Sequence, residues 1–323
     1  MMMASTRGGH ESRMSIRAHL GAVWAAVVAI TIAVVATYAL LPASDFYHVS
    51  HEGLAGGTSR ALVYSNFPVS LVGLALIGVS LILLHSHPER GLLAVAGAVG
   101  AVLCLVTVAP GVVKQSDLDA RLINVVPFIG SVIAVALTVL AMREPAAEQT
   151  IHSTWKDRVG FGIVIVLTVV ALPWILADVG VYIGDIPGLG SIFYSKQIPA
   201  GETLRAVHLG HHHGLDGLLF AFVAVVIGRV VRSQEPAALV NAMAAYCGLM
   251  LSYGIANVAN DAWLEQVVKR GWTEWEIPSF LSLDPSLGWG VVLIGAAAAW
   301  AFFFRPEREA SRTSRARAVV QAA

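Results

Sequence analysis

The sequence predicts an all-α integral membrane protein, a polytopic bundle of about eight transmembrane helices. Three observations predict this class. Hydrophobic residues make up 56% of the chain and charged residues 13%, and the mean hydropathy is +0.71. The apolar residues also form stretches of about 20, the length that crosses a hydrocarbon core of ~30 Å. Lipid offers backbone amides no hydrogen-bond partner, so such stretches favour helices.

Eight stretches meet this length. They cover residues 20–41, 67–86, 91–110, 122–142, 159–178, 209–231, 236–258 and 286–304. The connections between them are too short for a soluble domain. The predicted organisation is a disordered cytoplasmic tail over 1–18, a first four-helix half over 19–142, a cytoplasmic linker over 143–158, a second four-helix half over 159–305 and a basic cytoplasmic tail over 306–323.

The distribution of Lys and Arg predicts the orientation. With the N-terminus inside, 14 of these 21 residues fall on the cytoplasmic side and 7 on the outer side. We therefore expect a multi-pass plasma-membrane protein with both termini in the cytoplasm. The lipid bilayer is the expected partner, and the oligomeric state is left open. Formal charge is balanced and no Gly-rich phosphate loop is present, so we expect neither a nucleic-acid partner nor a nucleotide cofactor.

Histidines are divided unevenly by this topology. Six of the 11 fall on the outer side, in two short clusters: His48, His51, His208, His211, His212 and His213. The second cluster belongs to HLGHHHGLDG, residues 208–217, directly before an apolar span. On a helix, His208, His212 and Asp216 would share one face because they are spaced four residues apart.

This stripe predicts a metal site. Asp216 is expected inside the hydrocarbon layer, where an ionised carboxylate costs ~2.5–3.5 kcal/mol and marks a functional position. Imidazole and carboxylate ligands suit a divalent transition metal such as iron, copper or zinc. The expected metal ligands are His208, His211, His212, Asp216, His48 and His51. Asp178 and Glu52 are the expected catalytic proton-transfer groups.

Two short segments indicate an internal duplication. HEGLAG at 51–56 and HHGLDG at 212–217 are identical at four of six positions, and their first residues are 161 apart in a chain of 323. Four spans in each half would make the halves parallel. The alternative is two unrelated glycine-containing helix entrances.

The stretch HLGHH, residues 208–212, resembles one histidine box of the membrane fatty-acid desaturases and alkane hydroxylases. Those families hold a di-iron centre with at least three boxes on the cytoplasmic side. Here one box and the incomplete HVSH at 48–51 fall on the predicted outer side. The family's activity is therefore not carried over to this chain.

Three function classes follow from these patterns. The first is a membrane metalloenzyme that acts on a lipid or small lipophilic substrate. The second is a transporter of metal ions or small solutes, or a metal-handling protein, although the inner halves of the spans carry almost no ionisable residue. The third is a structural or assembly protein without catalysis. The two cysteines, Cys104 and Cys247, are expected to be packing residues rather than ligands.

Overall fold

A computed structural model describes residues 13–40, 53–113, 119–178, 187, 211–235, 237–268, 270–278 and 285–306. These parts contain nine α-helices: α1 Ile16–Leu40, α2 Gly53–Tyr64, α3 Ser70–Leu83, α4 Arg90–Leu105, α5 Val125–Ala141, α6 Trp155–Asp178, α7 His211–Arg232, α8 Ala238–Trp263 and α9 Leu287–Ala299. Three π-helical segments extend them: Ser65–Val69 joins α2 to α3, Leu264–Val268 follows α8, and Trp300–Phe304 follows α9.

Within the described residues, seven helical segments are long and apolar enough to cross a bilayer. They are Ile16–Ala36, Gly53–Leu83, Arg90–Val108, Leu122–Ala141, Gly214–Arg232, Ala238–Val268 and Leu287–Phe304. The predicted all-α polytopic bundle is therefore confirmed. The predicted span over 159–178 falls on α6, a helix of 24 residues.

The helices form a central group and a peripheral group. Of the window that could cross the membrane, 89% is buried in α7 and 72% in the α2–α3 segment, against 17% in α9. The peripheral helices expose large apolar side chains, among them Val95 of α4, Val132 of α5, Val166 of α6 and Ile294 of α9. Such a surface suits contact with lipid, so α7 lies at the centre of a bundle whose outer faces are apolar.

The second span is longer than the sequence predicts, because the helix begins at Gly53 and not near residue 67. Pro68 has no backbone N–H, and the helix passes it through a π-helical turn. Polar side chains form hydrogen bonds with nearby backbone carbonyls: Asn66 Nδ2 donates to Leu62 O at 2.9 Å, and Ser70 Oγ donates to Ser65 O at 2.8 Å. The irregular turn is therefore hydrogen-bonded within the bundle.

A small antiparallel sheet lies at one end of the bundle. Strand β1, Arg13–Ser15, pairs with strand β2, Thr150–His152. The Ile16 amide donates to Gln149 O at 2.9 Å, and Arg17 Nε donates to Met142 O at 2.8 Å. The regular structure thus begins inside the segment 1–18 that the sequence predicts to be a tail, because its backbone pairs with the linker.

We call this end the basic end, because Arg17, Arg158, Arg229 and Arg232 lie there, where α1 and α6 begin and α7 ends. The two sequence halves are packed together: α1 contacts α7, and α3 contacts both α7 and α8. In a duplicated chain, the contact of α3 with α5 would correspond to the contact of α7 with the last helical segment. The two contacts differ, because α3 packs along α5, whereas α7 contacts the last segment mainly at its π turn. The duplication stays a prediction, since His51 lies outside the described residues.

Candidate functional site

The structure describes the predicted site residues unevenly. His48, His51, Glu52 and His208 lie outside the described residues. His211 and His212 open α7 and Asp178 ends α6, but their side chains lie outside the description as well. Asp216 is described in full. His212 and Asp216 are one turn apart in the same helix, which agrees with the spacing argument.

Asp216 is buried where α7 meets α8, with 3% of its surface exposed. The next residue, Gly217, lies against α8 so closely that a Cβ there would be 2.6 Å from Gly254 O and 2.9 Å from Asn257 Cβ. Asp216 also interacts electrostatically with the Tyr253 hydroxyl. The carboxylate is therefore set into the crossing of the two helices.

Four aromatic rings define a common level below Asp216. The Phe67 and Phe220 rings are 5.8 Å apart, and the Phe220 and Tyr253 rings are 6.0 Å apart. Trp289 of α9 stacks on Tyr253 at 5.5 Å. We call these four residues the aromatic layer.

Four buried polar residues of α2, α7 and α8 lie above this layer, toward the end opposite the basic end. They are Arg60, Asp216, Asn257 and Asp261, each 3% exposed or less. At ~1.5 Å per residue, Asp216 and Asn257 lie about 6 Å above the layer, Arg60 about 10 Å and Asp261 about 12 Å. We call the four the buried polar cluster.

The start of α7 lies at the depth of Asp261. His212 is eight residues before Phe220, and Asp261 is eight residues after Tyr253 in the antiparallel helix α8. Both backbones are therefore about 12 Å above the aromatic layer. Arg60 is one of the seven Lys and Arg residues that sequence analysis places on the outer side. Its burial was not predicted, since no local pattern distinguishes a buried arginine from an exposed one.

Metal-ligating residues do not gather in threes within the described parts of the chain. The two cysteines are free and buried. A Cβ on Gly73 would lie 3.5 Å from Cys104 Sγ, so this thiol packs against α3. Cys104 thus fills space between helices, as the sequence predicts.

A second charged cluster, which sequence analysis missed, lies at the basic end. Asp157 of α6 and Arg229 and Arg232 of α7 have side chains 2%, 4% and 8% exposed. Arg232 Nη2 donates to Asp157 Oδ1 at 2.7 Å, and Arg232 Nη1 donates to Phe303 O at 2.8 Å. We call these three residues, with His19 of α1, the basic-end cluster.

Asp157 also caps its own helix. The Thr154 amide donates to Asp157 Oδ2 at 2.6 Å, and the Asp157 amide donates to Thr154 Oγ1 at 3.4 Å, which is a capping box. Burial raises the pKa of Asp157, but hydrogen bonds from the Thr154 backbone and from Arg232 outweigh it, so this pKa lies below its usual value. The carboxylate is held in its ionised form.

Comparison with known proteins gives no further assignment. No family model matches the chain, and no curated protein or solved structure matches it either. The function must therefore be argued from the site itself.

Proposed function

We propose that this protein is a membrane metalloenzyme whose metal site lies at the end opposite the basic end and which acts on a lipid or small lipophilic substrate. The observation that carries the proposal is the burial of Asp216 one turn below His212 in the central helix α7. A buried carboxylate in a membrane helix is costly, and a bound cation removes most of that cost.

Charge supports a cation at this position. The buried charged residues described at this end are Arg60, Asp216 and Asp261, so their formal sum is one negative charge. A divalent transition metal with histidine ligands would compensate this charge, and iron, copper and zinc accept both ligand types. We propose Asp216 and His212 as ligands, with His208, His211, His48 and His51 as further donors and Asp178 and Glu52 as proton-transfer groups.

The aromatic layer favours catalysis over transport. Phe67, Phe220, Tyr253 and Trp289 lie directly below the buried polar cluster. Between Asp216 and Arg229, α7 carries no ionisable residue. A transporter would need a polar route through this region, whereas an enzyme open to one face would not. Transport of a metal or small solute remains the second candidate, and a structural or assembly role the third.

We also propose that the basic end faces the cytoplasm. The excess of Lys and Arg on the side of both termini supports this orientation. The metal site would then be reached from the outer face of the plasma membrane.

Metal content tests the proposal. We expect the detergent-purified protein to hold about one metal per chain, and Asp216→Asn and His212→Ala to lose most of it because each removes a ligand. His85→Ala and Glu235→Gln, at exposed positions near the basic end, are matched controls and should keep the metal. A metal-free wild-type protein, purified under conditions that retain bound ions, would contradict the proposal.

Flux separates catalysis from transport. Proteoliposomes that contain the metal-loaded protein should show no uptake of that metal above empty liposomes. Uptake that disappears in Asp216→Asn would favour the transporter instead.

A further inference from the structure

Two buried side chains at the basic end have nitrogen atoms without a hydrogen-bond partner among the described residues. Arg229 and His19 are 4% and 1% exposed. Among the described residues, neither Nε nor Nη2 of Arg229 has a hydrogen-bond acceptor, and Nε2 of His19 has no partner. Buried polar groups of this kind are costly, so each needs an explanation.

Asp157 cannot supply the missing acceptor. Its Oδ1 accepts from Arg232, and its Oδ2 accepts from the Thr154 amide at 2.6 Å and from Thr154 Oγ1 at 2.8 Å. Arg229 Nε lies 3.6 Å from Oδ2, beyond hydrogen-bond range. The carboxylate is therefore committed to Arg232 and to the helix cap.

The basic-end cluster also carries a surplus positive charge. It contains one carboxylate and two guanidinium groups. His19 Nδ1 lies 2.7 Å from the Ser15 carbonyl, so Nδ1 must carry a proton to donate there. His19 is close enough to Arg229 to interact with it electrostatically. A buried surplus cation attracts an anion.

The position of the free atoms indicates the shape of that anion. Nε and Nη2 form one edge of the guanidinium group, and two parallel N–H groups on such an edge bind phosphate in a bidentate manner. The guanidinium group is also held in place, because the Phe161 ring lies 5.8 Å from Arg229 Cζ and makes a cation–π contact with it.

We propose that Arg229 and His19 form a binding site for a phosphate group at the basic end. Arg229 supplies the bidentate edge. Because Nδ1 of His19 donates to the Ser15 carbonyl, Nε2 of the neutral ring is an acceptor, and it becomes a third donor to the anion when the ring takes up a second proton on binding. The phosphate comes from a lipid headgroup or from free phosphate. Basic pockets between transmembrane helices at this level are typical headgroup sites, and Trp155 and Val159 of α6 are exposed apolar residues beside it.

Phosphate and lipid binding test this site in the full-length protein. Native mass spectrometry would measure binding of dioleoyl phosphatidylglycerol, with dioleoyl phosphatidylcholine for comparison. A thermal-shift assay would measure stabilisation by inorganic phosphate. Arg229→Gln should weaken the binding of at least one probe by roughly tenfold or more, since it removes two charge-assisted hydrogen bonds. Arg158→Gln, an exposed position at the same end, is the matched control.

The outcomes distinguish a lipid headgroup from free phosphate as the bound group. Loss of phosphatidylglycerol binding in Arg229→Gln alone identifies a lipid headgroup, and loss of phosphate stabilisation alone identifies free phosphate. Equal binding of both probes by the wild type, Arg229→Gln and Arg158→Gln would overturn the proposal and leave water at this edge. If Arg229→Gln does not fold, Arg229→Lys and His19→Gln give the same test, because lysine keeps the charge but lacks the fork.

Discussion

Replacing Gly217 with valine is expected to destabilise the bundle by about 3 kcal/mol or more. A Cβ at this position would lie 2.6 Å from Gly254 O, 2.9 Å from Asn257 Cβ and 3.1 Å from Val258 Cγ2. The first of these is a backbone atom in the middle of α8, which cannot move without a shift of the helix. Small residues at such crossings let membrane helices approach closely. The loss should appear as a lower melting temperature and less monodisperse protein in detergent.

Gly290→Val is the matched control for this change. Gly290 lies in α9, and no atom lies within 4 Å of a Cβ built there. We expect this variant to behave almost like the wild type, because the new side chain meets lipid or detergent. Equal losses in the two variants would mean that valine acts through helix propensity and not through the contact of α7 with α8.

The membrane helices could be predicted because hydropathy is a local property of the chain. The start of the second span could not. Residues Gly53–Tyr64 include Ser59 and Arg60, which lower the hydropathy of the segment below that of a typical span. In the structure Arg60 is 1% exposed, so the bundle and not lipid surrounds it. A rule that assumes contact with hydrocarbon therefore fails for segments whose polar residues face other helices.

The two candidate sites also differ in how far they could be predicted from the sequence. His212 and Asp216 could be grouped from the sequence because four residues separate them on one helix. The position of Asp261 just after the seventh predicted span already indicates a similar depth, but its burial at 3% exposure could not be predicted from the sequence. Asp157 and Arg232 are 75 residues apart, and no local pattern joins them. The capping box at Thr154 and Asp157 was visible in the sequence, but it indicates only a helix start.

Asp157→Ala is expected to be the most damaging single change at the basic end, with a loss of about 3–5 kcal/mol. It leaves Arg229 and Arg232 buried without a carboxylate and removes the hydrogen bonds that cap α6. The contrasting control is Glu148→Gln. Glu148 pairs with Arg17 at 3.3 Å, but these side chains are 69% and 44% exposed, so this change should cost no more than about 1 kcal/mol. Thermal unfolding in detergent measures both.

The dependence on pH follows from the lowered pKa of Asp157. A carboxylate with a lower pKa in the folded state stabilises the protein above its unfolded pKa of about 3.9 and loses that effect as the pH falls through its folded value. The melting temperature of the wild type should therefore fall more steeply than that of Asp157→Asn below about pH 4. Parallel curves for the two proteins would contradict the assignment of this carboxylate.

A double variant separates the ion pair from the helix cap. Asp157→Asn with Arg232→Gln removes one charge of each sign, so the net charge of the basic-end cluster is unchanged, and the asparagine amide oxygen can still accept from the Thr154 amide. We expect the double variant to lose less stability than the sum of its single variants, by about 0.5–3 kcal/mol, because each single change leaves an unpaired buried group. Strict additivity would mean that Asp157 acts through the cap alone. In that case competition from Arg232 for Asp157 would not explain why Nε and Nη2 of Arg229 lack an acceptor, and the phosphate site would need a different explanation.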